Sequence, residues 1–225
     1  MRAEGESTVP MPTIDELTLA DEPERWRALG FTVHAQECRL GSVRVRLAGE
    51  GAGKGIVEWS LRGLRSADMD GLPTRLSERA LPAGEPREHP NGVLALDHVV
   101  VFSPALDRTI AALQAAGMDL RRVREEPTPA GAPRQAFFRL GEVILEVVQA
   151  PPDAVERGGG ADRSAQLWGL AMVAEDLPRT VDFLGENVGE MRAAVQPGRM
   201  IATLRRSAGL AVPVALMSRE PSRVG

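Results

Sequence analysis

The chain has 225 residues, of which 43% are hydrophobic and 26% are charged, and its formal net charge is −4. This composition is typical of a globular protein, and the negative charge argues against nucleic-acid and anionic-membrane partners, because both favour a basic surface. Without an apolar run of roughly 18 residues no membrane span is expected, and with Cys38 as the single cysteine no intrachain disulfide can form. We therefore expect a cytoplasmic protein.

Residues 1–12 lack the apolar core of a signal peptide and are predicted to form a disordered lead-in. Segment 13–63 then contains a strand, a helix and three further strands, in IDELTLAD, EPERWRALGF, FTVHAQECRL, SVRVRLAG and GIVEWSLRG. The alternation of apolar residues and arginines in SVRVRLAG is typical of a strand with one buried face. Residues 64–94 are rich in Pro, Gly and charge, which predicts a linker in which His89 is exposed.

The same order of elements follows twice more. Segment 95–150 contains LDHVVVFS, LDRTIAALQAAGM, DLRRVRE, RQAFFRL and EVILEVVQ. After a second predicted linker at 151–165, segment 166–220 contains LWGLAMVA, LPRTVDFLGENVG, RAAVQPG, MIATLRRS and VPVALMS. Three degenerate βαβββ modules are therefore predicted, in an α+β fold of antiparallel sheets. Because a single module would leave an apolar face and an open edge, two modules should pair around a cleft.

The second module carries two polar residues in apolar strands. His98 lies in LDHVVVFS, where a buried strand would favour an apolar side chain. Glu146, on the last strand of the module, shares a predicted strand face with Ile144 and Val148. A carboxylate in such a setting is costly unless it is paired, hydrogen-bonded or bound to a metal. The two residues predict either a buried histidine–glutamate pair or two ligands of a metal ion.

The paired modules resemble the vicinal oxygen chelate superfamily, which includes glyoxalases, bleomycin-resistance proteins and extradiol dioxygenases. The resemblance rests on LDHVVVFSPALDRTIAALQAAGM with RQAFFRLGEVILEVV, and on WGLAMVAEDLPRTVDFLGENVG with PGRMIATLRR and VPVALMS. It covers residues 95–220 well and residues 13–63 more weakly. It implies a half-barrel cleft in which the first and last strands of each module supply ligands to a divalent metal, which would bind vicinal oxygens of a substrate.

Carried onto this sequence, the resemblance implies that His98 and Glu146 are metal ligands. Glu16 and Glu58 occupy the two matching positions of the first module, so they are the other candidate ligands. An imidazole with carboxylates suits Fe, Mn, Ni, Zn or Co, and binding without any metal is the alternative. Glu58 and Glu146 are also the candidate catalytic carboxylates, because a carboxylate in such a cleft can act as a general base.

Two ways of pairing the modules remain open. In the third module Leu170 and Leu216 are predicted at the two ligand positions, so pairing modules two and three leaves two ligands. Pairing modules one and two would bring four ligands together. The connection of about 15 residues between modules two and three is shorter than the one of about 31 residues before it, which favours the first arrangement. Module one could then pair with a second copy in a homodimer.

Two main functions follow from these alternatives. The first is a metal-dependent lyase, isomerase or dioxygenase-like enzyme of the glyoxalase-like group, acting on a small oxygen-rich molecule. The second is a metal-free protein that binds or sequesters a small molecule, as the bleomycin-resistance branch does. The two leucines of module three favour the second, because they would make half of the cleft floor apolar. A catalytically inactive module kept for dimerisation is a third interpretation.

Other residues give weaker signals. His34 and Cys38 lie on one predicted strand with no third group to orient them, so a packed histidine and a buried thiol are expected instead of a catalytic pair. Arginines on or near strands could bind an anionic group in the cleft. They are Arg134, Arg139, Arg199, Arg205 and Arg206. Core or cleft-wall positions are expected for Trp59, Trp168, Phe137 and Phe138.

Overall fold

The computed structural model describes residues 11–81, 88–128 and 131–220, so most of the predicted lead-in lies outside the described residues. The first part contains β1 (Thr13–Leu19), α1 (Pro23–Ala28), β2 (Val33–His34), β3 (Glu37–Leu40), β4 (Val43–Leu47), β5 (Ile56–Arg62) and β6 (Thr74–Leu76). The second contains β7 (Val93–Ser103), α2 (Leu106–Ala115), β8 (Asp119–Arg124), β9 (Gln135–Leu140), β10 (Val143–Gln149), α3 (Pro152–Arg157), β11 (Gln166–Ala174), α4 (Leu177–Leu184), β12 (Arg192–Ala193), β13 (Met200–Thr203) and β14 (Val214–Met217). None of the helices described has the length and hydrophobicity to cross a membrane.

The strands form two sheets, which confirms the predicted α+β fold of βαβββ modules. Sheet A has the order β2-β3-β4-β1-β5-β6, and sheet B has the order β12-β13-β14-β11-β7-β10-β9-β8. The sheets are mixed and not purely antiparallel, because the last strand of each module pairs in parallel with its first strand. At the centre of sheet B, β7 pairs with β11, so modules two and three lie side by side, as the shorter connection predicted.

Sheet A repeats the strand order of sheet B with two strands fewer. Its strands β2-β3-β4-β1-β5-β6 correspond in order to β8-β9-β10-β7-β11-β14. As in sheet B, the central strand β1 has a parallel neighbour, β4, and an antiparallel neighbour, β5. The strands β5 and β6 therefore stand where a second module would begin and end. They cover one edge of β1 within the chain, whereas the pairing of module one with a second copy stays a prediction.

One turn explains why the first module was divided incorrectly. FTVHAQECRL was predicted as one strand, but it is the hairpin of β2 and β3, with Ala35 and Gln36 as its two-residue loop. Such loops need positive φ angles and are usually signalled by Asn-Gly or Asp-Gly, whereas here Ala35 adopts a φ of +50°. The last strand of the first module is therefore β4 and not β5, which moves Glu58 out of a last strand.

The segment predicted as a linker, 64–94, contributes β6 and several buried side chains to the fold. His89, expected to be exposed, is buried. Its Nδ1 accepts a hydrogen bond from the backbone N–H of Thr32 at 3.0 Å, and its Nε2 lies 2.9 Å from the carbonyl oxygen of Arg39. Its Nε2 also lies 4.0 Å from the sulfur of the buried Cys38. The histidine beside the thiol is thus His89, whereas His34 is exposed.

The inner faces of both sheets contribute to one hydrophobic cluster with the helices. In sheet A, Leu17 on β1 lies between Val45 and Trp59, and in sheet B Val99 on β7 lies between Leu145 and Leu170. These residues are at most 2% exposed. Each such side chain stabilises the fold by about 1.5–3 kcal/mol on burial. Each sheet is therefore left with a second face, called here its outer face, that carries the polar side chains.

Equivalent turns hold the two sheets together. Gly41, between β3 and β4, lies against Ala95 of β7, and Gly141, between β9 and β10, lies against Thr13 of β1. Both glycines have positive φ angles, +61° and +66°. A Cβ atom on Gly41 would come within 3.0 Å of the Cβ of Ala95. Glycine is needed at both turns for its conformation and for the close approach of the sheets.

Replacing Gly41 by alanine should therefore lower the free energy of unfolding by about 2 kcal/mol or more. This loss combines the backbone strain of a positive φ angle with the close contact between the added Cβ and Ala95. The matched control is Gly160→Ala, at a φ of +93° with no atom within 4 Å of the added Cβ. The control should lose only the conformational part, about 1 kcal/mol. Chemical denaturation of both variants measures the difference, and equal losses would contradict a tight contact between the sheets at Gly41.

Candidate functional site

The outer face of sheet B brings His98 and Glu146 together. In the parallel pair of β7 and β10, His98 lies beside Ile144 and Val100 lies beside Glu146. The Nε2 atom of His98 is 3.5 Å from Oε2 of Glu146, and the two side chains are 12% and 15% exposed. The histidine that interrupts the apolar strand thus faces a carboxylate in a largely buried setting.

Asp97 completes this site and was missed in the sequence. It is the extra residue of a β-bulge, because Leu96 and His98 lie opposite consecutive residues of β11. Its Oδ2 is 2.8 Å from Nδ1 of His98, and its Oδ1 accepts a hydrogen bond of 2.7 Å from Nη2 of Arg199. Arg199 is buried and also donates from Nε to the carbonyl oxygen of Ser218 at 2.9 Å. The aspartate therefore links the histidine of module two to an arginine of module three.

The two carboxylates beside His98 have opposite pKa shifts. Burial raises the pKa of Glu146, and neither His98 nor the hydrogen bond donated by Gln135 fully offsets it. Burial would raise the pKa of Asp97 as well, but the hydrogen bonds from His98 and Arg199 outweigh it, so that this pKa is lowered. Because Nδ1 of His98 faces the charged Asp97, Nε2 is the ring nitrogen that faces Glu146.

Leu170 and Leu216 do not lie at the ligand positions where the sequence placed them. Leu170 pairs with Val99 and Leu216 with Met172, so both leucines point into the core. The strand registers show the reason, which is an error of one residue in the alignment of the modules. A shift of one position moves a side chain to the opposite face of a strand.

The third module instead places small residues at the two ligand positions. Val99 and Leu145 are paired in module two as Leu170 and Val214 are in module three. The residue before Leu170 and the residue after Val214 therefore correspond to His98 and Glu146. They are Gly169 and Ala215. The third module therefore has no side-chain donor at either ligand position, and a Cβ atom on Gly169 would lie 3.1 Å from the carbonyl oxygen of Pro213.

Glu16 and Glu58 lie on sheet A, apart from His98 and Glu146. The Oε2 atom of Glu16 is 3.7 Å from Nε of Arg44 and 3.6 Å from Nη1 of Arg79. Glu58 forms an ion pair of 2.5 Å with Arg75. Among the residues described, no group of three or more His, Cys, Asp or Glu side chains is arranged to hold a metal ion. The four predicted ligands are therefore split between two sheets, and arginines already neutralise the pair on sheet A.

In sheet A, Arg46 occupies the position that Glu146 occupies in sheet B. Glu146 lies beside Val100 in the parallel pair of sheet B, and Arg46 lies beside Thr18 in the corresponding pair of sheet A. Glu16 matches His98, as predicted, since each follows the bulged aspartate of its strand. The two sheets thus share their backbone plan but carry opposite charges at one of the key positions.

Aromatic residues border the site on sheet B. Trp168 is the extra residue of a bulge in β11 and packs on Phe102, with 4.7 Å between the ring centroids. Trp168 is 44% exposed, whereas Trp59 and Phe138 belong to the core. Of the arginines considered in the sequence, Arg199 reaches the site. Arg134 pairs with Glu125 and Asp107, and exposed positions are occupied by Arg139, Arg205 and Arg206.

Comparison with solved structures shows what this architecture is similar to. A triple mutant of 4-hydroxymandelate synthase from Streptomyces coelicolor matches with 16% identity and a TM-score of 0.62, over 96% of this chain and 95% of that chain. A xylose isomerase-like TIM barrel/4-hydroxyphenylpyruvate dioxygenase fusion protein matches with 12% identity and a TM-score of 0.59, over 96% of this chain and 50% of that chain. The chain has the vicinal oxygen chelate fold.

Methylmalonyl-CoA epimerase from Mycobacterium tuberculosis also matches, with 19% identity and a TM-score of 0.47, over 60% of this chain and 94% of that chain. No family model matches the chain, and no curated protein does. At such low identities the likeness extends to the vicinal oxygen chelate fold and not to an activity. The function therefore has to be inferred from the outer faces of the sheets.

Removing the carboxylate of Asp97 should destabilise the protein, because it leaves the buried guanidinium of Arg199 without its partner. Asp97→Ala should lower the free energy of unfolding by about 3 kcal/mol, and adding Arg199→Met should restore part of this loss. Asp119→Ala is the control, since its ion pair with Arg121 is exposed and contributes less than about 1 kcal/mol. Equal losses in Asp97→Ala and the control, measured by denaturant titration, would contradict a buried ion pair.

Because burial raises the pKa of Glu146, the effect of this residue on the free energy of unfolding should depend on pH. The folded state favours protonated Glu146, so at neutral pH the charged carboxylate destabilises the fold relative to a neutral side chain. Glu146→Gln should therefore be more stable than wild type near neutral pH, by roughly 1 kcal/mol or a few degrees in Tm. The advantage should fade as the pH falls through the raised pKa, and it should be absent below the ordinary value of 4.5.

Thermal unfolding from about pH 4 to about pH 8 measures this difference. Exposed Glu142 supplies the control, because Glu142→Gln removes the same charge from the turn before β10. The control should show no comparable dependence on pH. A Glu146→Gln variant less stable than wild type at every pH would mean that the carboxylate is stabilising in the folded protein.

Proposed function

We propose that the outer face of sheet B binds a small oxygen-rich molecule directly, without a metal ion of its own. This proposal rests on which residues occupy the four ligand positions of this sheet. Two hold His98 and Glu146, and the other two hold Gly169 and Ala215. The two small residues supply no donor atoms.

The donor set does not fit a tightly bound catalytic metal. Catalytic zinc sites, for example, have three protein ligands and one open position. Here Nε2 of His98 and Oε2 of Glu146 are the two atoms that face each other. Asp97 does not supply a third ligand, because it lies on the other ring nitrogen and pairs with Arg199. The Fe, Mn, Ni, Zn or Co site expected from the resemblance is therefore not part of this proposal.

The same two atoms suit a ligand with neighbouring oxygens. The imidazole of His98 and the carboxyl group of Glu146 each offer hydrogen-bonding atoms to a hydroxyl group or a carbonyl oxygen of a ligand. Phe102 and Trp168 give the ligand an aromatic surface at one end of the face. A largely apolar surface with a few fixed polar groups is the usual character of a small-molecule site.

Proton transfer is a second candidate function, favoured by the different environments of the two carboxylates. Asp97 remains charged and orients His98, while Glu146 is the group that is easier to protonate. Separated pKa values of this kind distinguish a base from an acid at one site. His98 would remove a proton from the bound molecule and Glu146 would return one, which is the chemistry of an isomerase or lyase.

The first test is the metal content of the purified protein. Wild type and His98→Ala are equilibrated separately with Ni, Mn, Zn, Fe and Co, desalted and examined by elemental analysis. We expect far less than one metal ion per chain in both. Stoichiometric metal in wild type that is lost in His98→Ala would overturn the proposal and favour the metal-dependent lyase or isomerase.

The second half of the same test is ligand binding by the metal-free protein. A panel of 2-oxoaldehydes, catechols and diols is screened by NMR, with the indole N–H of Trp168 as a reporter beside the site. His98→Ala should weaken binding of any member by about tenfold, since it removes one hydrogen bond in a largely buried setting. His34→Ala, at an exposed histidine of sheet A, should have no effect. Binding that is equal in both variants, or absent across the panel, would refute the proposal.

A further inference from the structure

The outer face of sheet A has an arginine pair that the fold itself does not explain. Arg39 on β3 lies directly beside Arg44 on β4, and Glu37 lies beside Arg46 two positions further along. Like charges directly opposite each other destabilise an antiparallel pair. The chain nevertheless places two guanidinium groups there, although its overall charge is −4.

The acidic neighbours neutralise this cluster only in part. Arg44 and Arg62 share the carboxylate of Asp15, whose side chain is 2% exposed. Arg39 and Arg46 form no ion pair with any residue that the structure describes. The Nε atoms of Arg39 and Arg44 are buried and have no hydrogen-bond partner among those same residues. A buried donor without an acceptor costs about 1–3 kcal/mol.

A groove lies beside Arg46, which neighbours the arginine pair on the same face. Its volume is about 360 Å³, and its lining includes Arg46, Glu16 and the hairpin residues His34, Gln36 and Glu37. The groove occupies the place in sheet A that corresponds to the site of sheet B, since Arg46 stands where sheet B has Glu146. The same position of the fold is therefore basic in one sheet and acidic in the other.

We propose that Arg39, Arg44 and Arg46 form a binding site for a small oxyanion, a carboxylate or a phosphate group. A guanidinium group offers several N–H donors in one plane and suits both kinds of anion. An anion seated between Arg39 and Arg46 supplies the negative charge that the neighbouring arginines lack. It also accepts hydrogen bonds from Arg46, whose side chain is exposed. Glu16 and Glu37 are the carboxylates beside the site whose charges oppose the anion.

The test uses inorganic phosphate and acetate as probes, added to the full-length protein at constant ionic strength. Amide NMR signals of β3 and β4 should shift with a saturable response. Arg46→Gln should weaken the affinity by about tenfold, as the loss of a charged hydrogen bond implies. Glu37→Gln should strengthen the affinity, because it removes the opposing charge without touching the arginines.

Matched variants separate a site from a general effect of charge. Arg192→Gln removes an exposed arginine of β12, and Glu142→Gln removes an exposed carboxylate of sheet B, so neither should change the affinity. His98→Ala should also leave it unchanged, which keeps this result independent of the function proposed for sheet B. If only phosphate gives saturable shifts, the site binds phosphate groups. If both phosphate and acetate give them, the site binds carboxylates as well.

Two results would overturn the proposal. One is the absence of saturable shifts in β3 and β4 with either probe. The other is an equal effect of Arg46→Gln and Arg192→Gln, which would show that the anion responds only to the net charge. Because Glu37→Gln leaves all three arginines in place, its effect remains interpretable even if an arginine variant fails to fold.

Discussion

A buried aspartate at a bulge in the central strand organises the outer face of each sheet. Asp97 in β7 and Asp15 in β1 occupy the same position, one residue before His98 and Glu16. A bulge puts two consecutive residues on one side of a strand, which regular alternation forbids. Each aspartate is largely buried, and each would be costly without its arginine partners. The position of the neighbouring residue, histidine or glutamate, is fixed by this constraint.

The same backbone feature leads to different chemistry in the two sheets. In sheet B, Asp97 uses one oxygen for Arg199 and the other for His98, so the imidazole is oriented and its second nitrogen is left to the outer face. In sheet A, Asp15 is surrounded by Arg44 and Arg62, and Ser77 donates a further hydrogen bond. That cluster fixes the segment after β6 to the sheet, and Glu16 follows the aspartate where sheet B has a histidine. Duplicated architecture has thus been kept while the chemistry has diverged.

Regular periodicity was sufficient to predict most of the fold. The alternation and order of elements in modules two and three gave β7 to β14 with α2 and α4, since apolar strands and amphipathic helices bury one face each. The helix α3, by contrast, lies in the segment 151–165 that was predicted as a linker. The hairpin of β2 and β3 was missed because Ala35 and Gln36 carry no turn signal. A signal for the correct alignment was nevertheless present, because RLGSV at 39–43 matches RLGEV at 139–143. That match pairs β4 with β10, and hence Arg46 with Glu146.

Only part of the candidate site could be predicted from the sequence, and the reason is physical. His98 and Glu146 were found because each is a polar residue in an apolar strand. Asp97 was not, because a bulge has no reliable local signature, and its partner Arg199 is 102 positions away. The orientation of His98 therefore depends on the pairing of modules two and three, which no local pattern encodes.

The two outer faces differ in their balance of positive and negative charges. On sheet B, Arg199 neutralises Asp97, and burial favours the uncharged form of Glu146, so the face tends toward neutrality and offers hydrogen-bonding atoms to an uncharged molecule. A divalent cation would gain little there, because one carboxylate is already paired and the other is costly to ionise. On sheet A, Arg39 lies opposite another arginine, Arg44, and Arg46 is exposed beside the groove, which favours an anion. The fold thus presents two related surfaces whose ligands differ in charge, and the difference arises from the residues beside two equivalent aspartates.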